Sequence, residues 1–177
     1  MATEFQKKKW SNMFKMFDVN GDGQIAQSDL EQFHSRLFEM RGIGPGDSQY
    51  DALNGRFAQF GQALKQITNV ETLKIDDWLT FWANVTSSPE LYQIVRPTSE
   101  AIFGLWDLDG DGQVSIQEYR KLCTVMRLGE GYADEMFAKL DLNKDGNISM
   151  DELMKLSDDY FVGDDPNAPG NLFFGPL

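Results

Sequence analysis

A twelve-residue pattern that occurs three times constrains this 177-residue chain more than any other feature. In Asp107–Glu118, DLDGDGQVSIQE, side-chain oxygens stand at the first, third and fifth positions (Asp107, Asp109, Asp111), glycine at the sixth (Gly112) and glutamate at the twelfth (Glu118). A loop that wraps a calcium ion needs this set. It uses the early oxygens, a backbone carbonyl at the seventh position (Gln113), a direct or water-carried oxygen at the ninth (Ser115), and a carboxylate at the twelfth that closes with both oxygens. The sixth-position glycine makes the sharp turn. The same pattern assigns Asp141, Asn143, Asp145, the Asn147 carbonyl, Ser149 and Glu152 to another loop, and Asp18, Asn20, Asp22, the Gln24 carbonyl and Asp29 to a further one. One such match arises by chance, but three in a short chain do not.

The flanking residues keep a helical period. Trp10, Met13, Phe14 and Phe17 share one face of a helix running into the first loop, which puts Lys7, Lys8 and Lys9 on the outer face. Leu30, Phe33 and Leu37 continue inward after it, until Gly42, Gly44 and Pro45 stop the helix near Arg41. His34, the single histidine, reads as a boundary residue without a role. A long helix follows Asp47, with Phe57, Phe60, Leu64 and Ile67 inward. Ser88 caps the next helix with Pro89 in its first turn, and Pro97 bends or restarts it before Ile102, Phe103 and Trp106 lead into the third loop. Tyr119, Leu122 and Met126 form the next inner face, which Gly129 and Gly131 break. Met136, Phe137 and Leu140 enter the last loop, and Leu153, Leu156 and Tyr160 leave it. Phe14, Phe103 and Phe137 each stand four residues before a first ligand, and Phe17, Trp106 and Leu140 one before. That shared register marks a repeated helix–loop–helix unit.

A fourth unit is present with its loop degraded. Trp78, Phe81 and Val85 repeat the spacing of Leu30, Phe33 and Leu37, while Leu64 and Ile67 match Phe14 and Phe17, leaving about ten residues, 68–77, where twelve are needed. Thr68, Val70 and Thr72 are not carboxylates, and the stretch holds no glycine. It binds no calcium in the usual way, and its expected work is structural, with Leu73 pairing with Ile25 so that loop backbone groups find partners. Val114 serves the other pair of loops likewise. In the first loop the closing residue is Asp29, one methylene shorter than glutamate, which favours the six-coordinate shell of Mg²⁺.

The net charge of −12 and pI near 4.4 argue against nucleic acid or an anionic membrane as partner. Three divalent ions would bring the charge to −12 + 6 = −6, so much of the acidity is metal site. The single cysteine, Cys123, forms no intramolecular disulfide and suits a reducing compartment. No apolar stretch approaches membrane-spanning length, and Ala2 excludes the glycine that myristoylation needs, so the expectation is a cytoplasmic monomer without a membrane anchor. The tail ends in Leu172, Phe173, Phe174 and Leu177 amid prolines and glycines that prevent a helix. Such residues are scarce in disordered tails, so this one is expected to return and plug the core.

Four EF-hands with the second silent, Asp29 closing the first loop, and the FGPL ending resemble the invertebrate sarcoplasmic calcium-binding proteins across nearly the whole chain. The resemblance implies an all-α fold of four helix–loop–helix units in two pairs forming one compact globule. The first pair spans 1–86 and the second 87–177, with the plugging tail at 164–177. It further implies a non-enzymatic Ca²⁺/Mg²⁺ buffer with three divalent sites. Relatives of the same fold suggest two alternatives, a calexcitin-like calcium sensor acting on a target protein and a carrier of a small apolar ligand like the coelenterazine-binding proteins. The histidines that photoproteins place around their peroxide have no counterpart here. No target protein can be named from the residues.

Overall fold

A computed structural model describes residues 2–128 and 130–177, with all side chains among them except those of Arg56, Phe60, Ala63, Ile67, Ile94, Thr98, Ser99, Ala101, Ile102, Leu105 and Glu130. The inward positions expected of Phe60, Ile67 and Ile102 and the break expected at Gly129 therefore lie outside the described residues. Eight helices run in the order α1 (Glu4–Phe17), α2 (Gln27–Arg41), α3 (Ser48–Thr68), α4 (Ile75–Ser87), α5 (Pro89–Trp106), α6 (Ile116–Val125), α7 (Ala133–Leu140) and α8 (Met150–Phe161) among the described residues. Four two- or three-residue strands lie in the loops between them: β1 (Gln24–Ile25), β2 (Leu73–Lys74), β3 (Gln113–Ser115) and β4 (Asn147–Ser149). β1 pairs antiparallel with β2, placing Ile25 opposite Leu73, and β3 with β4, placing Val114 opposite Ile148. Each strand pair ties two helix–loop–helix units together, and α1 on α8, α2 on α6 and α3 on α5 join the pairs into one all-α globule.

The start signals act locally. Thr3 caps α1 and exchanges hydrogen bonds with Gln6, and the Ser88 hydroxyl accepts from the Leu91 amide at the start of α5. α5 continues unbroken through Pro97, so the expected restart does not occur: packing of α5 against α3, α4 and α8 outweighs one missing backbone donor. α6 ends at Val125, before its glycines. Arg127 turns left-handed (φ 56°), and the Leu128 amide bonds the Cys123 carbonyl.

The core is aromatic. Trp10, Trp78, Phe81, Tyr119, Tyr160 and Phe173 are almost wholly buried, with Trp78 stacked beside Phe81 and Trp82 lying flat against Phe161 at 4.4 Å. The tail does return: Phe173 and Phe174 are buried against Trp106, Tyr160 and Phe161. Two expectations need correction. Leu177 is 38% exposed and plugs nothing, and the tail makes a short 3-10 turn at Pro169–Leu172 despite its prolines. A further correction concerns α1. Lys9, placed on the outer face by its KKK context, is 0% exposed. Its ammonium donates to the carbonyls of Asp159 and Gly163, both at 2.8 Å, at the C-terminal end of α8, where a cation is electrostatically favoured. Burial lowers its pKa from the ordinary 10.5 to about 8, against the pull of Asp164 and Asp159. Around it Tyr160 donates to the Lys9 carbonyl, Trp10 Nε1 to Phe161 O at 3.3 Å, and Trp78 Nε1 to Trp10 O at 2.9 Å.

Candidate metal centres

Each complete loop is built on one hydrogen-bond plan. The sixth-position amide donates to the first carboxylate: Gly23 to Asp18 Oδ2 at 2.9 Å, Gly112 to Asp107 Oδ2 at 3.0 Å and Gly146 to Asp141 Oδ2 at 2.8 Å. These three glycines take φ of 82°, 86° and 92°, a region closed to most side chains. The fifth-position acids accept from the seventh-position amides, as in Asp22 with Gln24, Asp111 with Gln113 and Asp145 with Asn147. Oxygens of Asp107, Asp109 and Glu118 lie within 4.8 Å of one another.

The twelfth position closes the loop and also begins the next helix. Glu118 Oε1 accepts from the amides of Leu108 (2.7 Å) and Asp109 (3.3 Å), while Oε2 accepts from the amide and hydroxyl of Ser115, both at 2.7 Å. Glu152 does the same with Leu142, Asn143 and Ser149. Ser115 and Ser149 are thus helix caps, each in a capping box with the glutamate three residues on. The sequence pattern Ser-x-x-Glu is the signal that could have revealed this second job. Burial works against the charged form of both glutamates. The hydrogen bonds from Ser115, Leu108 and Asp109, and from Ser149, Asn143 and Leu142, outweigh it and hold both carboxyls below the usual carboxylate range.

Asp29 makes fewer bonds. It is 0% exposed and accepts one amide on each oxygen, Asn20 at 3.3 Å and Ala26 at 3.0 Å. Ala26 offers no hydroxyl, so only the carboxylate half of the box forms. The silent loop keeps that half as well, because Asp77 Oδ2 accepts the Lys74 amide at 3.0 Å. Asp77 was not singled out by the sequence pattern, although it fills the twelfth position.

The first carboxylates differ in a way that bears on a cation. Asp18 Oδ1 accepts the amides of Gly21 (2.8 Å) and Asp22 (3.1 Å), and Asp107 Oδ1 those of Gly110 (2.7 Å) and Asp111 (3.1 Å). Asp141 Oδ1 is buried with no hydrogen-bond partner among the described residues. A buried carboxylate oxygen without a donor is costly unless a cation completes it, so the residues fit a divalent ion.

Paired helix–loop–helix units with carboxylates converging in their loops define a cation-binding architecture. The EF-hand domain pair model matches residues 7–124 and the EF hand model residues 133–157; the chain belongs to the EF-hand family of calcium-binding proteins. It is similar to clytin of Clytia gregaria, 25% identical over 134 residues, 68% of this chain and 65% of that one, so it spans about two thirds of that relative's length. Among solved structures it shares its fold with the calcium-loaded apo form of the coelenterazine-binding protein of Renilla muelleri (TM-score 0.74, 23% identity, 99% of this chain and 100% of that one). It also shares it with the sarcoplasmic calcium-binding protein of amphioxus (TM-score 0.74, 19% identity, the whole of both chains). No helix among the described residues is long and apolar enough to cross a membrane.

Proposed function

We propose that this chain is a non-enzymatic calcium buffer with three divalent sites, organised as hand pairs 1–86 and 87–177. The sites use Asp18, Asn20, Asp22, Gln24 and Asp29; Asp107, Asp109, Asp111, Gln113, Ser115 and Glu118; and Asp141, Asn143, Asp145, Asn147, Ser149 and Glu152. The side chain of Asp29, one methylene shorter than glutamate, supports Mg²⁺ exchange at the first site, which slows calcium uptake there.

One observation carries the reading against a sensor. Phe173 and Phe174 are packed into the core against Trp106, Tyr160 and Phe161. A sensor opens a flexible, Met-rich groove on loading, whereas a core already filled by its own aromatic tail has no such groove to open. Binding then stabilises the fold by mass action. Fluorescence of a hydrophobic dye tests this: the intact protein stays dim in Mg²⁺ and in Ca²⁺, and a chain lacking residues 171–177 turns bright. A strong calcium-dependent rise in the intact protein overturns the buffer reading in favour of a sensor.

A further inference from the structure

The end of α2 carries a charge that the loops do not explain. Arg41 Nε and Nη2 both donate to Gln49 Oε1, at 3.3 and 3.0 Å, but Nη1 is buried without a hydrogen-bond partner among the described residues. Leaving a guanidinium N–H unsatisfied is unfavourable, so something else must favour this placement. Arg41 lines a cleft of ≈480 Å³ between the two hand pairs. Gln49 and Leu53 of the first pair form one wall with it, and Glu100, Asp107 and Met150 of the second form the other. Glu100 is 4.0 Å from Arg96 Nη1, and Asp107 is the first residue of the third loop. A positive charge from one pair therefore shares an open cleft with the first carboxylate of the other.

We propose that Arg41 sets the calcium affinity of the third loop from across the molecule. The proposal rests on reading 107–118 as a calcium site. With the loop empty, the guanidinium and the Asp107 carboxylate attract across the cleft. A divalent cation beside Asp107 makes the loop two charges less negative, so the guanidinium loses attraction on loading, favours the empty loop and lowers affinity. Linkage makes the effect mutual: loading the third loop disfavours the position of Arg41 facing the cleft and loosens its bond to Gln49, which ties α2 to α3. The guanidinium is a positioning group here and coordinates nothing.

The amides of Gly23, Gly112 and Gly146 each bond a first carboxylate, so their NMR signals report the three loops separately. With less than one equivalent of Ca²⁺, the Gly112 and Gly146 signals give the partition between the third and fourth loops. Arg41→Gln is expected to shift that partition toward Gly112 by about fivefold at low ionic strength, the size of a partly solvated charge–charge effect. In about 1 M KCl the gain should shrink toward unity, because screening removes it. Arg41→Lys, which keeps the charge, should stay within about twofold of the wild type. An unchanged partition in Arg41→Gln, a gain that survives high salt, or an equal gain in Arg41→Lys overturns the proposal, since the last two mark a packing effect. A Gly112 amide that moves in none of the proteins instead overturns the reading of the third loop itself, and an unchanged Gly23 signal shows the fold intact.

Discussion

The silent loop at 68–77 and the third loop at 107–118 do the same structural work with different residues. Both lie between helices, both supply a strand to an antiparallel pair, and both end on a carboxylate that accepts the amide three residues earlier, Asp77 from Lys74 and Glu118 from Ser115. They part upstream, where Thr68, Val70 and Thr72 stand in place of Asp107, Asp109 and Asp111. In the silent loop an exposed Lys65–Glu71 ion pair stands beside Asn69, which turns the chain at φ 56°. The difference teaches that the closing carboxylate begins a helix before it closes on an ion. A hand can lose its early carboxylates and keep its shape so long as that closing carboxylate and the strand pairing remain.

The surroundings of the two loops differ as well, and removing the tail's anchor tests this most severely. Phe173 lies against Trp106, the residue just before Asp107. Phe173→Ala should destabilise the protein by about 3–5 kcal/mol in urea unfolding, whereas Leu177→Ala should fall within about 0.5 kcal/mol of the wild type. Equal effects at the two positions would mean the tail does not anchor the second pair. Next in size is Glu118→Gln, expected to weaken calcium at the third loop by on the order of 100-fold and to reduce calorimetric stoichiometry by one. Asp77→Asn should leave stoichiometry untouched, and any loss of an ion there breaks the comparison.

The two pairs meet through α1 and α8, where pH enters. Lys9 has a folded pKa of about 8 against the ordinary 10.5, so the unfolded chain binds more protons between those values and stability rises with pH across that window. The contribution is unfavourable below about pH 8, where Lys9 is charged in both states. Lys9→Met should abolish this rise, seen as the difference between the two proteins' stability curves from pH 8 to 10. Parallel curves would show that the buried ammonium is not strained. A smaller effect belongs to the silent loop: Asp77→Ala should cost about 1 kcal/mol through the lost carboxylate half of its capping box, without touching ion binding.

Much of this was legible beforehand because loop chemistry is local. Ligand positions, the sixth-position glycines and the register of Phe14, Phe103 and Phe137 are all fixed by spacing along the chain. Even the pairing of Ile25 with Leu73 followed from counting back from Trp78 in a loop that had lost its ligands. What stayed hidden depends on residues distant in sequence. Lys9 reads as solvated until the carbonyls of Asp159 and Gly163 are brought to it, and Pro97 reads as a break until three helices hold α5 together. Leu177 has the hydrophobicity of a plug, yet the core is already full at Phe174. The open oxygen of Asp141 was invisible for another reason: Lys144 stands where the other two loops have Gly21 and Gly110, and its amide does not make their bond.

The seam between Lys9, Trp10, Tyr160 and Phe161 joins residues about 150 positions apart. Contacts of such separation form late, because the loop they close carries an entropic penalty that local hands do not face. Refolding should therefore show each pair gaining helix quickly and the seam closing afterwards, with Trp10 the reporter of the slow phase. Replacing Trp10 by Phe should weaken that phase in fluorescence, leaving the part that Trp82 reports through Phe161, and should leave the fast gain of helix in circular dichroism.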